Sequence, residues 1–378
     1  MDLQPFIERI RAATAARTPL AIRGGGSKDF YGTPVDGERL DTAPLAGILN
    51  YEPSELFVTV GAGTPLAELE AVLAEQRQCL PFEPPHFAHG GATSRATVGG
   101  MVAAGLSGPS RASVGCVRDY VLGAAMLNGR GEPLRFGGTV MKNVAGYDVS
   151  RVLAGSMGQL GLITELSLKV LPLPPAEATL EFACTQAEAL TLLHGWGGQP
   201  WPLNASAWQA SGDGPGGTLW LRLRGALAAV ESACKHLGGE RRTHAHAAED
   251  WAALRDQRSP FFDRALADGL ALWRVSVPQT APVLALPGQP LLEWHGGQRW
   301  YALPVDAAGT VREAARAAGG HATLFIAPRA SGAGAAGRFD SKSPDRFDSI
   351  SPALARIQQA LRERFDPAGI FNPGRLLA

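Results

Sequence analysis

Residues 23–28 read RGGGSK, three consecutive glycines between an arginine and a lysine. Glycine weakens the interior of a helix or strand, because it gives up the most backbone freedom when it is ordered. Such a run belongs where bare main chain must come close to something, and the flanking cations favour an anion. Two more clusters follow. The stretch ATVGGMVAAGLSGPSR (96–111) holds Gly99, Gly100, Gly105 and Gly108, and residues 135–170 add Gly146, Gly155, Gly158 and Gly161. Each alone reads as a tight turn. Together and in this order they read as separate loops closing on one ligand, since consecutive backbone N–H groups form nests that hold anions without a helix.

Two mononucleotide-binding loops compete with that reading. A Walker A loop needs four residues between its first glycine and Gly-Lys, then a helix aimed at phosphate. Here the chain runs on through Gly32, Pro34 and Gly37, and no helix begins. A Rossmann turn is suggested by LFVTVGAGTPLAELEAVLAEQ (56–76), which reads as strand, Gly61-Ala62-Gly63, then helix with Thr64 as N-cap and Pro65 as first helical residue. The third glycine of G-x-G-x-x-G is missing, Leu66 standing there. The plainer reading is a strand-to-helix turn with Leu66, Leu69 and Leu73 as a core stripe.

The chain has 378 residues, room for two or three domains at roughly 150 residues each. With 45% hydrophobic and 19% charged residues it supports a large core. The net charge of zero argues against nucleic acid or an anionic membrane as main partner. Cys79, Cys116, Cys184 and Cys234 lie far apart, so neither an iron–sulfur cluster nor a zinc site is signalled, and no metal is expected. His244 and His246 read as one face of a strand. Near the N-terminus Leu3, Phe6, Ile7 and Ile10 recur at helical spacing; Asp2 and Glu8 favour an amphipathic helix over a transit peptide. No run approaches the roughly 20 apolar residues of a membrane span.

The segments PLAIRGGGSK, ATVGGMVAAGLSGPSR, VMKNVAGYDVSRVLAGSMGQLGLITE and FDPAGIFNPGRL resemble the vanillyl-alcohol-oxidase (PCMH) type FAD-binding family, and within it the FAD-binding subunits of bacterial glycolate oxidases. The resemblance implies an α+β chain: a two-subdomain PCMH-type FAD-binding fold with an inserted α+β, ferredoxin-like cap domain. Carried onto this sequence, it implies that Arg23, Gly24, Gly25, Gly26, Ser27 and Lys28 hold the FAD pyrophosphate, with Thr97, Gly99 and Gly100 on its other side. Gly105, Ser107 and Gly108 would pass near the flavin or ribityl chain. Gly158, Gly161 and Ile163 match a segment that meets FAD through its backbone. Asn143, Tyr147 and Asp148 match a motif of underived role, and Asp148 reads equally as a helix N-cap. Asn372, Gly374 and Arg375 match the terminal N-P-G-K element with arginine for lysine, where a cation would steady charge on reduced flavin. The first loop offers no histidine and HFAHGGATSRATVGG no cysteine, so the FAD is expected to be noncovalent.

Pro172, Pro174 and Pro175 mark a boundary. The expected divisions are 1–172 for FAD binding, 173–330 for the cap, 331–352 as a flexible linker and 353–378 as a helix and tail returning to the FAD domain. Within the cap, ATLEFAC, QAEALTLLHGW, NASAWQA, GTLWLRLRG and ALAAVESACKHLGG give β-α-β-β-α, with RRTHAHA as a possible last strand. GLALWRVSVP, LLEWHGGQRWYALP and HATLFIAP read as further strands, with Gly296-Gly297 a hairpin turn. The helix ALARIQQALRERF gathers Leu354, Ile357, Leu361 and Phe365 on one face.

An acid substrate needs a cation for its carboxylate and a base for its hydroxyl. The candidates are Arg274, His295, Arg299 and Tyr301, each also readable as a structural residue of a strand or hairpin; Trp294 and Trp300 read as core. The resemblance implies hydride transfer from a short 2-hydroxy acid, glycolate or D-lactate, to flavin N5, with electrons passing to partners: a second FAD-containing subunit and an iron–sulfur subunit. It places the chain in the cytoplasm, at the inner membrane face through those partners and without insertion. Related catalytic subunits carry a histidine-rich metal site in the cap, and no such run stands here. Two alternatives therefore stay open: a noncatalytic FAD-binding or electron-relay subunit, and an NAD-dependent Rossmann dehydrogenase built on Gly61–Gly63.

Overall fold

The computed structural model describes residues 1–88, 93–139, 148–212, 214–328 and 345–376. The chain divides into two compact units, Met1–Ser107 with Cys116–Leu173 and Ser349–Ala378, and Gly108–Gly115 with Pro174–Asp348. The first break falls beside the proline-rich stretch. Two details differ from the expected divisions. Gly108–Gly115 leaves the first unit, and Asp345–Asp348 packs with the second: Arg346, largely buried, accepts the Leu324 N–H at its carbonyl (2.8 Å) and donates from its guanidinium to the Leu324 carbonyl. Residues 331–344 of the expected linker lie outside the described residues.

In the first unit, α1 (Gln4–Ala16) buries Phe6, Ile10 and Ala13. These join Leu20, Leu40, Leu127, Leu162, Ile370 and Phe371 in one core cluster. Strands β1 (Leu20–Arg23) and β2 (Glu38–Asp41) pair in parallel. A second, antiparallel sheet holds β3 (Ile48–Glu52), β4 (Phe57–Gly61), β5 (Val121–Leu127), β6 (Pro133–Gly137) and β7 (Leu162–Lys169) in the order β3-β4-β7-β5-β6. Among the described residues, this five-stranded sheet is antiparallel throughout and holds no parallel βαβ unit of the Rossmann kind. The turn after β4 is accordingly a packing turn: a Cβ on Gly61 or Gly63 would overlap the Leu45 or Thr42 carbonyl.

Helix α2 (Leu66–Glu75) buries Leu66, Leu69 and Leu73 completely, each burial stabilising by about 2 kcal/mol. Its N-cap is Pro65 rather than Thr64, whose fully buried hydroxyl instead accepts from Gly47 N–H (2.9 Å). Helix α3 (Val98–Ala104) is capped by Thr97.

The second unit runs β8 (Ala176–Thr185), α4 (Gln186–Gly197), β9 (Leu203–Ala210), β10 (Gly216–Gly225), α5 (Leu227–Leu237), β11 (Glu240–Arg241), α6 (His244–Arg255), α7 (Pro260–Ala267), β12 (Ala271–Ser276), β13 (Leu291–Glu293), β14 (Gln298–Leu303), α8 (Ala308–Ala317) and β15 (His321–Ile326). Its one sheet has the order β11-β8-β10-β9-β13-β14-β12-β15. The first four strands make the ferredoxin-like arrangement. The last four repeat it in mirror order, β15-β12-β14-β13, with α8 kept and the segment 277–290 in place of the first helix. Strands β9 and β13 join the halves antiparallel, Trp208 opposite Leu292. The strand expected over RRTHAHA is confined to Glu240–Arg241, and His244 and His246 open α6. Four alternating residues lost to an alanine-rich helical run that buries Ala247, Trp251 and Leu254.

The final helix, α9 (Pro352–Phe365), groups with the first unit, but none of its residues is buried, and Leu354 and Ile357 stand exposed.

Candidate cofactor-binding site

A cavity of about 320 Å³ opens in the first unit, between the end of β1, α3 and the start of β7. All six residues Arg23–Lys28 line it, as do Thr97, Gly99, Gly100, Gly158, Gly161, Ile163, Asn372 and Arg375. Strand β1 delivers the first loop. A Cβ on Gly25 would overlap the Arg95 carbonyl, and one on Gly24 the Thr97 hydroxyl. Gly26 has φ +77°, the left-handed region that glycine enters without strain. Among the described residues, the N–H groups of Gly24, Gly25, Gly26 and Ser27 have no acceptor within the chain. These four half-buried residues line the cavity, and consecutive unpaired amides of this kind make a nest suited to an anion.

The charge agrees. Arg23, Lys28 and Arg375 line the cavity, against one acid, Asp29. Arg23 pairs with Asp29 (2.5 Å), yet its Nε is buried without a hydrogen-bond partner. Lys28 is nearly buried; its ammonium donates to Ser27 Oγ (3.2 Å) and lies 5.6 Å from the Phe87 ring centroid. Arg375 donates to the carbonyls of Lys28 (3.2 Å) and Tyr31 (3.0 Å), and burial pulls its pKa below the ordinary arginine range. It thus ties the C-terminal segment to the glycine loop as well as lending charge.

The opposite wall offers few free donors. The three amides at the start of α3 are already used: Val98 N–H donates to Thr64 O (3.0 Å), Gly99 N–H to Ala62 O (2.7 Å) and Gly100 N–H to Thr97 Oγ1 (3.2 Å). Gly99 and Gly100 therefore supply room, not donors. Gly158 (φ +75°) and Gly161 (φ +148°) turn the chain in conformations other residues rarely adopt.

Asn372 joins three segments. Its Oδ1 accepts from Ile22 N–H (2.8 Å), its Nδ2 donates to Met157 O (2.7 Å), its main-chain N–H donates to Leu20 O (3.0 Å), and its carbonyl accepts from Gln159 Nε2 (3.1 Å). Its φ of +40° is one that asparagine tolerates better than most residues.

Other expected residues do not line the cavity. Gly105 caps α3 against Gly155; Ser107 Oγ accepts from Val117 N–H (3.2 Å); Gly374 makes a left-handed turn in open space. Gly108 falls in the second unit, where its carbonyl accepts from Trp294 Nε1 (3.0 Å). Asp148 is not an N-cap; it accepts from Ser150 Oγ (2.8 Å) and pairs with Arg151 (2.9 Å), while Val149 precedes the short helix. Asn143 and Tyr147 lie outside the described residues. Sequence reasoning missed Pro34, Val35, Thr42, Ala62 and Met157 in the lining. The small Ala62 between two glycines was a usable signal, because a wall made of backbone needs small neighbours.

In the second unit the four catalytic candidates separate. Arg299 is fully buried and donates to the carbonyls of Gly296, Pro282 and Ala281, so its guanidinium is consumed in holding the 277–290 segment. Tyr301 sits in the core with Trp273 and Leu324, its pKa pushed up to about 12 by burial. Arg274 is half-buried, its guanidinium 5.3 Å from the Phe325 ring centroid. His295 is the exception. It stands in a left-handed turn of three residues, Trp294 (φ +53°), His295 (φ +55°) and Gly296 (φ +87°). Its Nε2 meets Ser113 Oγ (3.0 Å), its N–H donates to Ser206 Oγ (2.9 Å), and its buried Nδ1 has no partner. Burial lowers its pKa to about 4. Trp294 and Trp300 are core, as expected. Glu293, to which no sequence signal points, is buried and accepts from Gln298 Nε2 (2.8 Å) and Trp300 Nε1, with its pKa raised to about 7 chiefly by burial. Among the described residues, no three His, Cys, Asp or Glu side chains gather as a metal site requires.

Comparison with known proteins agrees with the cavity. The family described as FAD binding domain matches residues 3–150. The chain is 42% identical, over 99% of its length and 97% of the relative's, to the glycolate oxidase subunit GlcE of Escherichia coli (strain K12). It is 33% identical to the glycolate oxidase subunit GlcD of Bacillus subtilis (strain 168), over 43% of this chain and 34% of that one. The solved alkyldihydroxyacetonephosphate synthase superposes with a TM-score of 0.65 at 16% identity, covering 97% of this chain and 74% of that one, a likeness of fold. The bare amides, the cationic lining and the orphaned Arg23 Nε suit a dinucleotide diphosphate, and the chain belongs to the GlcE family of glycolate oxidase subunits, oxidoreductases of the PCMH-type FAD-binding fold with FAD as their cofactor.

Proposed function

We propose that this chain is the FAD-holding subunit of a complex that oxidises glycolate, or a similarly short 2-hydroxy acid such as D-lactate, to the 2-oxo acid. The observation that carries the reading is the row of four unpaired amides, Gly24–Ser27, beside Arg23, Lys28 and Arg375. The substrate class rests on the nearly full-length likeness to a protein named as a glycolate oxidase subunit. Bound FAD supplies two-electron acceptance from the substrate α-carbon. The chain's own part is to bind and orient. The glycine loop and its cations fix the diphosphate. Noncovalent attachment is proposed because the first glycine loop carries no histidine and HFAHGGATSRATVGG no cysteine. His295, with an open buried nitrogen, is our candidate to accept a hydrogen bond from the substrate hydroxyl, and Arg274 is the remaining candidate for its carboxylate.

The likeness to glycolate oxidase subunits supports electrons leaving through partners, a second FAD-containing subunit and an iron–sulfur subunit, at the cytoplasmic face of a membrane. No helix among the described residues is long and apolar enough to cross a membrane. A second reading, a noncatalytic FAD-binding or electron-relay subunit, is favoured by one observation: Arg299 is spent on three carbonyls and offers nothing to a carboxylate.

Anaerobic addition of glycolate, D-lactate and 2-hydroxyglutarate to the purified chain decides between them. The first reading predicts bleaching of the flavin by glycolate with the chain alone. Bleaching only when the copurified partners are present supports the relay, and none in either case contradicts both. Acid precipitation of the same sample is expected to leave the flavin in the supernatant; colour retained in the pellet contradicts noncovalent attachment.

A further inference from the structure

One buried polar relay in the first unit belongs to no part of the cavity lining. His86 is 6% exposed. Its Nε2 lies 2.8 Å from Glu70 Oε2, on α2, and its Nδ1 lies 2.8 Å from Ser94 Oγ. Ser94 Oγ also accepts from Ala96 N–H (3.3 Å). A carboxylate only accepts, so Nε2 carries a ring proton, and Nδ1 shares the second hydrogen bond with the Ser94 hydroxyl.

The relay ends at the cavity wall. Residues 94–97 are the strip against which the first glycine loop is laid: the Arg95 carbonyl faces Gly25 and the Thr97 hydroxyl faces Gly24, both too close for a Cβ. The strip is tied to α2 from the other side as well. Ala96 O accepts from Leu66 N–H (2.8 Å), and Thr97 bridges to Pro65. The residue after His86 reaches the same loop. Phe87, in the left-handed region at φ +53°, packs edge-on to Phe30 (5.1 Å between centroids) and lies beneath the Lys28 ammonium. His86 and Phe87 thus support both sides of the glycine loop from outside the cavity.

We propose that His86 is a positioning residue for the FAD site: through Ser94 it fixes the 94–97 strip against the glycine loop and so sets FAD affinity. The inference rests on the FAD site alone and is independent of the substrate proposed above. In a buried network a hydrogen bond is directional and costly to leave half-made, so loss of the Ser94 link lets the strip shift.

Two variants separate the two ends of the ring, because an asparagine amide overlays Nδ1 and a glutamine amide overlays Nε2. The FAD-free chain is titrated with FAD by calorimetry, and its melting temperature is recorded without FAD. His86→Gln and Ser94→Ala are expected to weaken FAD binding about tenfold, while His86→Asn stays within about threefold of the parent. A merely structural role makes affinity follow the melting temperature across the series, and that pattern overturns the proposal. Equal weakening by His86→Asn and His86→Gln also overturns it. So does Ser94→Ala binding FAD like the parent, and this variant removes only a hydroxyl from a half-buried residue, so it keeps the test alive if the histidine variants do not fold. A parent chain that takes up no FAD in the same titration defeats the cofactor assignment itself, and this inference with it.

Discussion

A Gly25→Ala chain is expected to lose FAD on purification and about 3 kcal/mol of stability. The added methyl would fall on the main-chain carbonyl of Arg95. Neither atom belongs to a flexible side chain, so either the loop or the 94–97 strip must move. If the loop moves, the row of four amides loses its alignment; if the strip moves, it pulls on the Ala96–Leu66 hydrogen bond at the start of α2. Both routes damage the same cavity. Gly309→Ala is the control. It lies in α8 in the other unit, a Cβ there meets open space, and alanine is the better helix former by about 1 kcal/mol. FAD titration and urea melts of both variants check the contrast, and a Gly25→Ala chain that binds FAD normally contradicts the close approach of the two backbones.

The second large effect is expected at Asn372. Replacing it with alanine removes the acceptor for Ile22 N–H and the donor to Met157 O together. Each buried group left unpaired costs about 1–3 kcal/mol, and alanine tolerates φ +40° less well than asparagine. The expected loss is about 3–5 kcal/mol in denaturant melts, accompanied by weaker FAD binding, since Ile22 and Met157 both line the cavity. Asn372→Asp keeps the Ile22 link but sets an oxygen against the Met157 carbonyl, so it is expected to recover only part of the loss. Full recovery by aspartate contradicts the assigned hydrogen bonds.

These two positions also show what was legible in the sequence. Gly24–Gly26, Gly158 and Gly161 were legible because close backbone approach and positive φ exclude a side chain whatever lies opposite. Asn372 and Arg375 were legible through the terminal motif, but what they touch was not: Arg375 holds the glycine loop by two carbonyls, and Asn372 bridges to β1. The fate of the Val98 and Gly99 amides was hidden because their acceptors, Thr64 and Ala62, lie more than thirty residues upstream in a turn that reads as ordinary. Of the second unit, the ferredoxin-like first half was readable from its β-α-β-β-α rhythm. The second half was read as loose strands, because the helix that completes the rhythm is replaced by the proline-rich segment 277–290. Residue type alone leaves Arg299 and Tyr301 readable either as substrate contacts or as structural residues. Burial, which residue type does not give, made them parts of the core.

The central claim is that bare amides and cations of one cavity hold a diphosphate. Its most direct measurement is calorimetric titration of the FAD-free chain with FAD, ADP and riboflavin in parallel. FAD is expected to bind, ADP to compete with it, and riboflavin, which has the flavin ring but no diphosphate, to bind at least about 100-fold more weakly. Riboflavin binding as tightly as FAD, with ADP unable to compete, would contradict it.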